Sequence, residues 1–143
     1  CRTIFQAVSR GADGAHFVER DPWVAGSVLR QNLEGAGYEY LCSVHIQRVE
    51  EFLERCKRSN RTVGGTFDYI SVTPPYEAVT YSELLRQVEE STLISDRTWV
   101  IVEYPKAERD AIKETLGPLV LRRDRKYGRT FIAMYGPEDD DEW

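Results

Sequence analysis

Residues 67–76, from Phe67 to Tyr76, read F-D-Y-I-S-V-T-P-P-Y. Aromatic and β-branched residues dominate up to Val72, which predicts a buried strand over residues 67–72. The strand has to end there. A proline offers no N–H to a ladder and restrains the residue before it, and here Pro74 and Pro75 follow in succession. Two prolines fix φ at about −65° twice over and leave carbonyl acceptors with no competing donors. Such a stiff corner, closed by the ring of Tyr76, suits a flat ligand that carries an amino group. In an open α/β sheet, ligands bind beyond the carboxyl ends of the strands, where Thr73 to Tyr76 fall.

Upstream of that strand, residues 15–19 (A-H-F-V-E) form a short strand, and Asp21-Pro22 supplies an N-cap and a first helical residue. The spacing predicts a helix over 22–34 that buries Val24, Val28, Leu29 and Leu33 and ends at Gly35 and Gly37. Trp23 is expected to pack. Residues 41–46 read as a second strand and 49–57 as a helix with Val49, Phe52, Leu53 and Cys56 facing inward. Before all of these, residues 3–10 look like the end of a helix capped by Gly11.

Downstream, the pattern predicts a helix over 81–90, an apolar strand over 98–103, a short helix over 106–116 and a break at Gly117-Pro118. Strands over 119–125 and 130–135 are joined across residues 126–129, where Tyr127-Gly128 suits a hairpin turn. Strands alternating with helices imply a mostly parallel sheet, and the closing hairpin must be antiparallel. That hairpin is basic, with Arg122, Arg123, Arg125, Lys126 and Arg129 placed to hold phosphates.

The chain has 143 residues, 41% hydrophobic and 30% charged, enough for one domain with a single core. Its net charge of −5 is matched by Glu138, Asp139, Asp140, Asp141 and Glu142 alone, so the body is near neutral and residues 137–143 are expected to be a disordered acidic tail. Cys1, Cys42 and Cys56 are odd in number and lack metal-ligand spacing, and His16 and His45 fall within strands. Neither a disulfide framework nor a metal site is expected. No apolar run has the length of a membrane span, so no membrane association is expected either. A chain that opens on Cys1 reads as a processed product or a fragment.

Four ordered blocks carry a family resemblance: S-R-G-A-D-G-A-H-F-V-E-R-D (9–21), T-P-P-Y (73–76), V-I-V-E-Y (100–104) and R-K-Y-G-R-T (125–130). Together they resemble the RsmD type of small-subunit ribosomal RNA guanine-N2 methyltransferases, and the T-P-P-Y spelling resembles the plant plastid branch. The resemblance implies a Rossmann-like methyltransferase fold, S-adenosylmethionine as cofactor, ribosomal RNA or the small ribosomal subunit as partner, a monomeric state and a chloroplast setting. It implies that Thr73, Pro74, Pro75 and Tyr76 are catalytic, that Glu19 holds the ribose with Asp21 at its rim, and that Arg48 and Val49 lie beside the adenine. RNA would fall to Arg123, Arg125, Lys126 and Arg129.

The chain departs from the family at three places. Thr73 stands where the family has Asp or Asn, and Arg48 where it more often has an acidic or amide residue. The glycine-rich D-x-F-x-G-x-G turn, which precedes such an acid by about 20 residues, would lie at or before Cys1. The reading therefore expects an N-terminally shortened chain, lacking the central strand between residues 15–19 and 67–72. Two other classes fit parts of the sequence. One is a methyltransferase-like RNA-binding or assembly module without turnover; the other is a nicotinamide-dependent oxidoreductase, which would call for an upstream G-x-G-x-x-G.

Overall fold

The computed structural model describes residues 11–59, 65–74 and 80–139. The expected helix at 3–10, the residues Pro75 and Tyr76, and the acidic residues 140–142 lie outside the described residues. The chain divides into two compact units, Cys1–Arg55 and Cys56–Trp143.

In the first unit, β1 (Ala15–Glu19) pairs in parallel with β2 (Cys42–Ile46), in register from Ala15 opposite Cys42 to Glu19 opposite Ile46. Alternation gives each strand two faces. One face buries Phe17 against Leu29 and Leu33, with Ala15, Cys42, Val44 and Tyr38 packed around them. Leu29 and Leu33 come from a π-helical segment, Val24–Arg30, that runs into α1 (Gln31–Ala36). Ala25, Leu29 and Leu33, spaced by four, form the buried row. This corrects the expected face. Val28, expected to be buried, is 40% exposed because it lies one position off the Ala25–Leu29–Leu33 row. The helix stops at Gly37, whose φ of 76° is left-handed, while the Tyr38 N–H donates to the Leu33 carbonyl at 2.9 Å.

The opposite face of β1–β2 carries both histidines, and α2 (Val49–Arg58) lies over it, with His45 at 4.8 Å from the Phe52 ring. Arg55 can only donate, so at 2.8 Å it makes Nδ1 of His45 an acceptor and puts that ring's proton on Nε2. Nε2 then donates to Nδ1 of His16 at 2.9 Å. Both rings are thereby held neutral. Burial lowers both pKa values, and at His45 the charges of His16 and Arg55 add to the effect.

The second unit is a five-stranded sheet in the order β3-β4-β7-β6-β5. β3 (Tyr69–Val72) runs parallel to β4 (Trp99–Pro105), while β7 (Thr130–Gly136), β6 (Leu119–Tyr127) and β5 (Thr115–Leu116) follow by antiparallel pairing. β1 and β3, the strands expected to flank a central one, thus belong to different sheets. β4 and β7 alternate strictly, and their register sets Val100 against Tyr135, Val102 against Ala133 and Tyr104 against Phe131 on the buried face. From α3 (Tyr81–Glu90), the residues Tyr81, Leu84, Leu85 and Val88 are buried.

Three local readings change here. β3 begins at Tyr69, two residues later than expected, while Phe67 is tied through its N–H to Leu93 at 2.8 Å and through its carbonyl to the buried Thr98 hydroxyl at 2.7 Å. Residues 106–116 are not one helix but a 3-10 helix, Lys106–Ala111, followed by β5. Leu116 pairs with Leu119 across Gly117-Pro118, so the supposed breaker is a hairpin turn. Gly117 has φ 59° and Gly128 has φ 63°, while Pro118 and Arg129 have negative φ; both are two-residue turns of type II′, which calls for glycine first. At the start of the expected tail, Pro137 is buried and Asp139 meets Arg97 at 2.7 Å. That exposed pair is worth little by itself.

Gly136 sits under the indole of Trp99, and a Cβ there would lie 2.4–2.6 Å from three ring carbons. Gly136→Ala is expected to cost about 1–3 kcal/mol by overpacking and to lower the thermal midpoint, a loss that Trp99→Leu in the same chain should largely relieve. Equal losses with and without Trp99 would contradict this packing account. The histidine pair makes a pH prediction. With folded pKa values below the ordinary 6.5, the unfolded chain takes up protons first as pH falls. Stability is then complete above about pH 6.5 and declines through the folded values. Urea melts between pH 7 and 5 should show a smaller decline in the His16→Gln, His45→Gln double variant than in the wild type.

Candidate active site

Parallel pairing ends β1 and β2 at a common carboxyl edge. The Gln47 N–H continues the ladder by donating to the Glu19 carbonyl at 3.1 Å, and Arg48 then opens α2 by accepting the Phe52 N–H at 3.0 Å. Glu19, Arg48 and Val49 are brought together at this edge. Asp21 follows directly: its N–H donates to Oε1 of Glu19 at 3.1 Å, and its own Oδ1 accepts the N–H groups of Trp23 at 2.9 Å and Val24 at 3.5 Å. Asp21 is therefore a helix cap. Its capping bonds fix the chain that in turn orients the Glu19 carboxylate. Oε2 of Glu19 has no partner among the described residues.

A carboxylate held by one oxygen, with the other open at the carboxyl edge of parallel strands, can accept hydrogen bonds from vicinal hydroxyls such as those of a ribose. The donor set fits that half of an adenosine. Arg48 is exposed and brings only donors, which suits ring nitrogens and not an exocyclic amine. Trp23, expected to pack, is 67% exposed beside this edge, because the Asp21 cap and the π segment turn Ala25 inward in its place.

In the second unit, the carboxyl edge of β3 and β4 carries Thr73 and Pro74. The two ends of residues 73–80 are fixed on adjacent positions of β4. Val72 pairs with Val102 at one end, and at the other the buried Tyr81 hydroxyl donates to the Glu103 carbonyl at 2.9 Å. Thr73 is exposed and Pro74 half-buried, and the Thr73 hydroxyl makes no hydrogen bond among the described residues. This tie by Tyr81 is not foreseen in the sequence. A tyrosine at the start of a helix carries no sign that its hydroxyl reaches a strand end.

Because β7 runs antiparallel to β4, the turn of the β6–β7 hairpin lies at this same edge: Pro105 is opposite Thr130, and Thr130 opposite Tyr127. The basic residues expected to act together are sorted by the register. Arg122 is the extra residue of a bulge and donates to the carbonyls of Pro137 and Glu138 at 3.2 and 3.3 Å. It is therefore used internally. Arg123 and Arg125 share one face, opposite Met134 and Ile132, and Lys126 lies on the other, opposite Phe131; Arg129 is in the turn. Near the turn, the buried Tyr104 hydroxyl donates to Oδ1 of Asp124, and Arg109 sits 5.3 Å above the Phe131 ring. Burial, then the Asp124 carboxylate, push the Tyr104 pKa upward, so this phenol is a neutral tie and not an acid or base.

Among the described residues no helix is long and apolar enough to cross a membrane, and no group of three His, Cys, Asp or Glu side chains could hold a metal ion.

Comparison with known proteins supplies the wider context. A relative from Bacillus subtilis named "Putative rRNA methyltransferase YlbH" is 26% identical over 130 residues, 91% of this chain and 67% of its own. A conserved hypothetical protein of Streptococcus pyogenes superposes with a TM-score of 0.76 at 21% identity, covering 94% of this chain and 78% of that one. An Escherichia coli protein described as "Putative methyltransferase yhhF" does so with a TM-score of 0.73 at 21% identity, over 95% and 70%. The fold is thus the Rossmann-like α/β fold of methyltransferases. The family described as "Conserved hypothetical protein 95", the RsmD family, matches residues 1–136, and this chain belongs to it.

Proposed function

We propose that this chain transfers a methyl group from S-adenosylmethionine to the exocyclic N2 amine of a guanine in small-subunit ribosomal RNA. The observation that carries the reading is Thr73-Pro74 at the carboxyl edge where β3 pairs with β4. Family membership and the Glu19 carboxylate at the other carboxyl edge support it. The T-P-P-Y spelling supports a plastid small subunit as the setting.

The cofactor supplies a methyl group on a sulfonium, a good leaving group. Glu19 would accept its ribose hydroxyls, with Asp21 holding the approach and Arg48 and Val49 beside the adenine. For the base to react, its amine must be out of the stack. The Thr73 hydroxyl and the Pro74 carbonyl are acceptors for the amine hydrogens, which directs the nitrogen lone pair along the line of transfer, and Tyr76 would stack on the ring. The amine would take the methyl group from the cofactor, whose thioether would leave with the C–S electron pair, and the amine proton would pass to water. Positioning provides much of the acceleration.

Thr73 also favours a second reading, a binding module without turnover, because a neutral hydroxyl is a weaker acceptor than the carboxylate in related corners. The two separate in one experiment. Unmodified small-subunit RNA, incubated with the chain and methyl-labelled S-adenosylmethionine, should yield labelled N2-methylguanosine on nucleoside analysis. Thr73→Asp should raise the rate about tenfold and Thr73→Ala lower it about tenfold, each change worth about 1.4 kcal/mol. Label on a different nucleoside would contradict the guanine assignment, and cofactor binding without any label would establish the module.

A further inference from the structure

The β6–β7 turn combines features that no fold requirement explains. Tyr127 is 58% exposed at the last paired position, and Arg125, two residues earlier, shares its face. Lys126 projects to the other face and Arg129 occupies the turn itself. None of Arg125, Lys126 and Arg129 has an ion pair or hydrogen bond among the described residues. Four arginines elsewhere are engaged: Arg86 bridges Glu83 and Glu90, Arg97 meets Asp139, Arg55 meets His45, and Arg122 caps two carbonyls. Among the described residues, three neighbouring cations thus stand without a carboxylate partner around one exposed ring.

Glu138 and Asp139, the described residues of the acidic run, do not offset them locally. β7 leads away from the turn to Gly136, and Pro137, Glu138 and Asp139 are held at the far end by Arg122 and Arg97. At about 3.4 Å per residue, the length of β7 separates the two charges by roughly 20 Å. The turn is also stiff: two residues with glycine first, closed by the Tyr127–Thr130 pair. An aromatic platform flanked by free guanidinium groups on a rigid turn is the chemistry that binds an unpaired nucleotide, the ring taking the base and the cations the phosphates on either side.

We propose that Tyr127 stacks on an unpaired base of the substrate RNA next to the one that reacts, with Arg125 and Arg129 holding the flanking phosphates. This rests on the reading of the chain as an RNA methyltransferase. The turn shares its sheet edge with Thr73 and Pro74 but lies beyond β4 and β7, on the order of 15 Å away at about 4.8 Å per strand. The base it meets is therefore a neighbour of the target. Single-stranded RNA is the ligand, because a base stacked within a duplex has no free face to offer.

Fluorescence anisotropy with a labelled single-stranded RNA oligonucleotide, and with the same strand in a duplex, tests this on the full chain. Tyr127→Ala should weaken single-strand binding about tenfold and Tyr127→Phe less than twofold. Arg125→Gln with Arg129→Gln should reduce the slope of log K against log salt by about 1.4, the share of two phosphate contacts on a single strand. S-adenosylhomocysteine affinity, measured by calorimetry, should be unchanged in every variant, so a failure here is distinct from a failure of the methyltransferase reading. Wild-type affinity in Tyr127→Ala, or equal losses on duplex and single strand, would overturn the proposal.

Discussion

Strands paired in parallel end at the same edge, and in this chain every candidate functional group depends on that geometry. The β1–β2 ladder, extended by the Gln47 N–H to the Glu19 carbonyl, sets the acid beside the start of α2. The β3–β4 ladder does the same for Thr73 and the end of β4, and antiparallel pairing of β7 brings the basic turn to that edge. A slip of one residue in either parallel ladder would turn each of these side chains to the opposite face. Registry is guarded by burial: Phe17 and Val44 on one sheet, and Val100, Val102 and Tyr104 on the other, have only one face that removes them from water.

Buried polar ties hold the second unit in that register. Tyr81, Tyr104 and Tyr135 are almost completely buried, and each hydroxyl donates to a distant partner: the Glu103 carbonyl, Asp124 and the Lys113 carbonyl. Burial pushes the Tyr135 pKa up to about 12, so it stays a donor at any physiological pH. A buried hydroxyl that loses its acceptor costs about 1–3 kcal/mol. The phenols therefore reject alternative packings as well as stabilise this one. The Tyr81 tie fixes the start of α3 to the end of β4.

Much of this was legible from residue patterns. The alternation of β4 and β7, the amphipathic spacing of α3, the Asp21-Pro22 helix start and the Gly37 stop each follow from local rules, and the structure has them. The misplaced features are those that local rules do not encode. A 3.6-residue period placed Val28 inside, whereas the buried row runs one position away through Ala25, Leu29 and Leu33. Gly117-Pro118 looked like a break because a two-residue hairpin is evident only once Leu116 and Leu119 pair. Arg122 looked like its neighbours until the bulge gave it two carbonyls. At the candidate site, Glu19 and Thr73 were visible as strand ends, whereas the tie from Tyr81 to Glu103 joins residues too far apart in sequence for periodicity to reveal.

The central claim is that the carboxyl edge of β1–β2 is an adenosine site whose anchor is the Glu19 carboxylate. Isothermal titration of the full chain with S-adenosylhomocysteine, alongside Glu19→Gln, tests it most directly. The account predicts micromolar binding by the wild type and a loss of at least about tenfold in the variant, since an amide replaces a charged acceptor with a neutral one. Binding of equal strength in both, or no heat from the wild type, would contradict it.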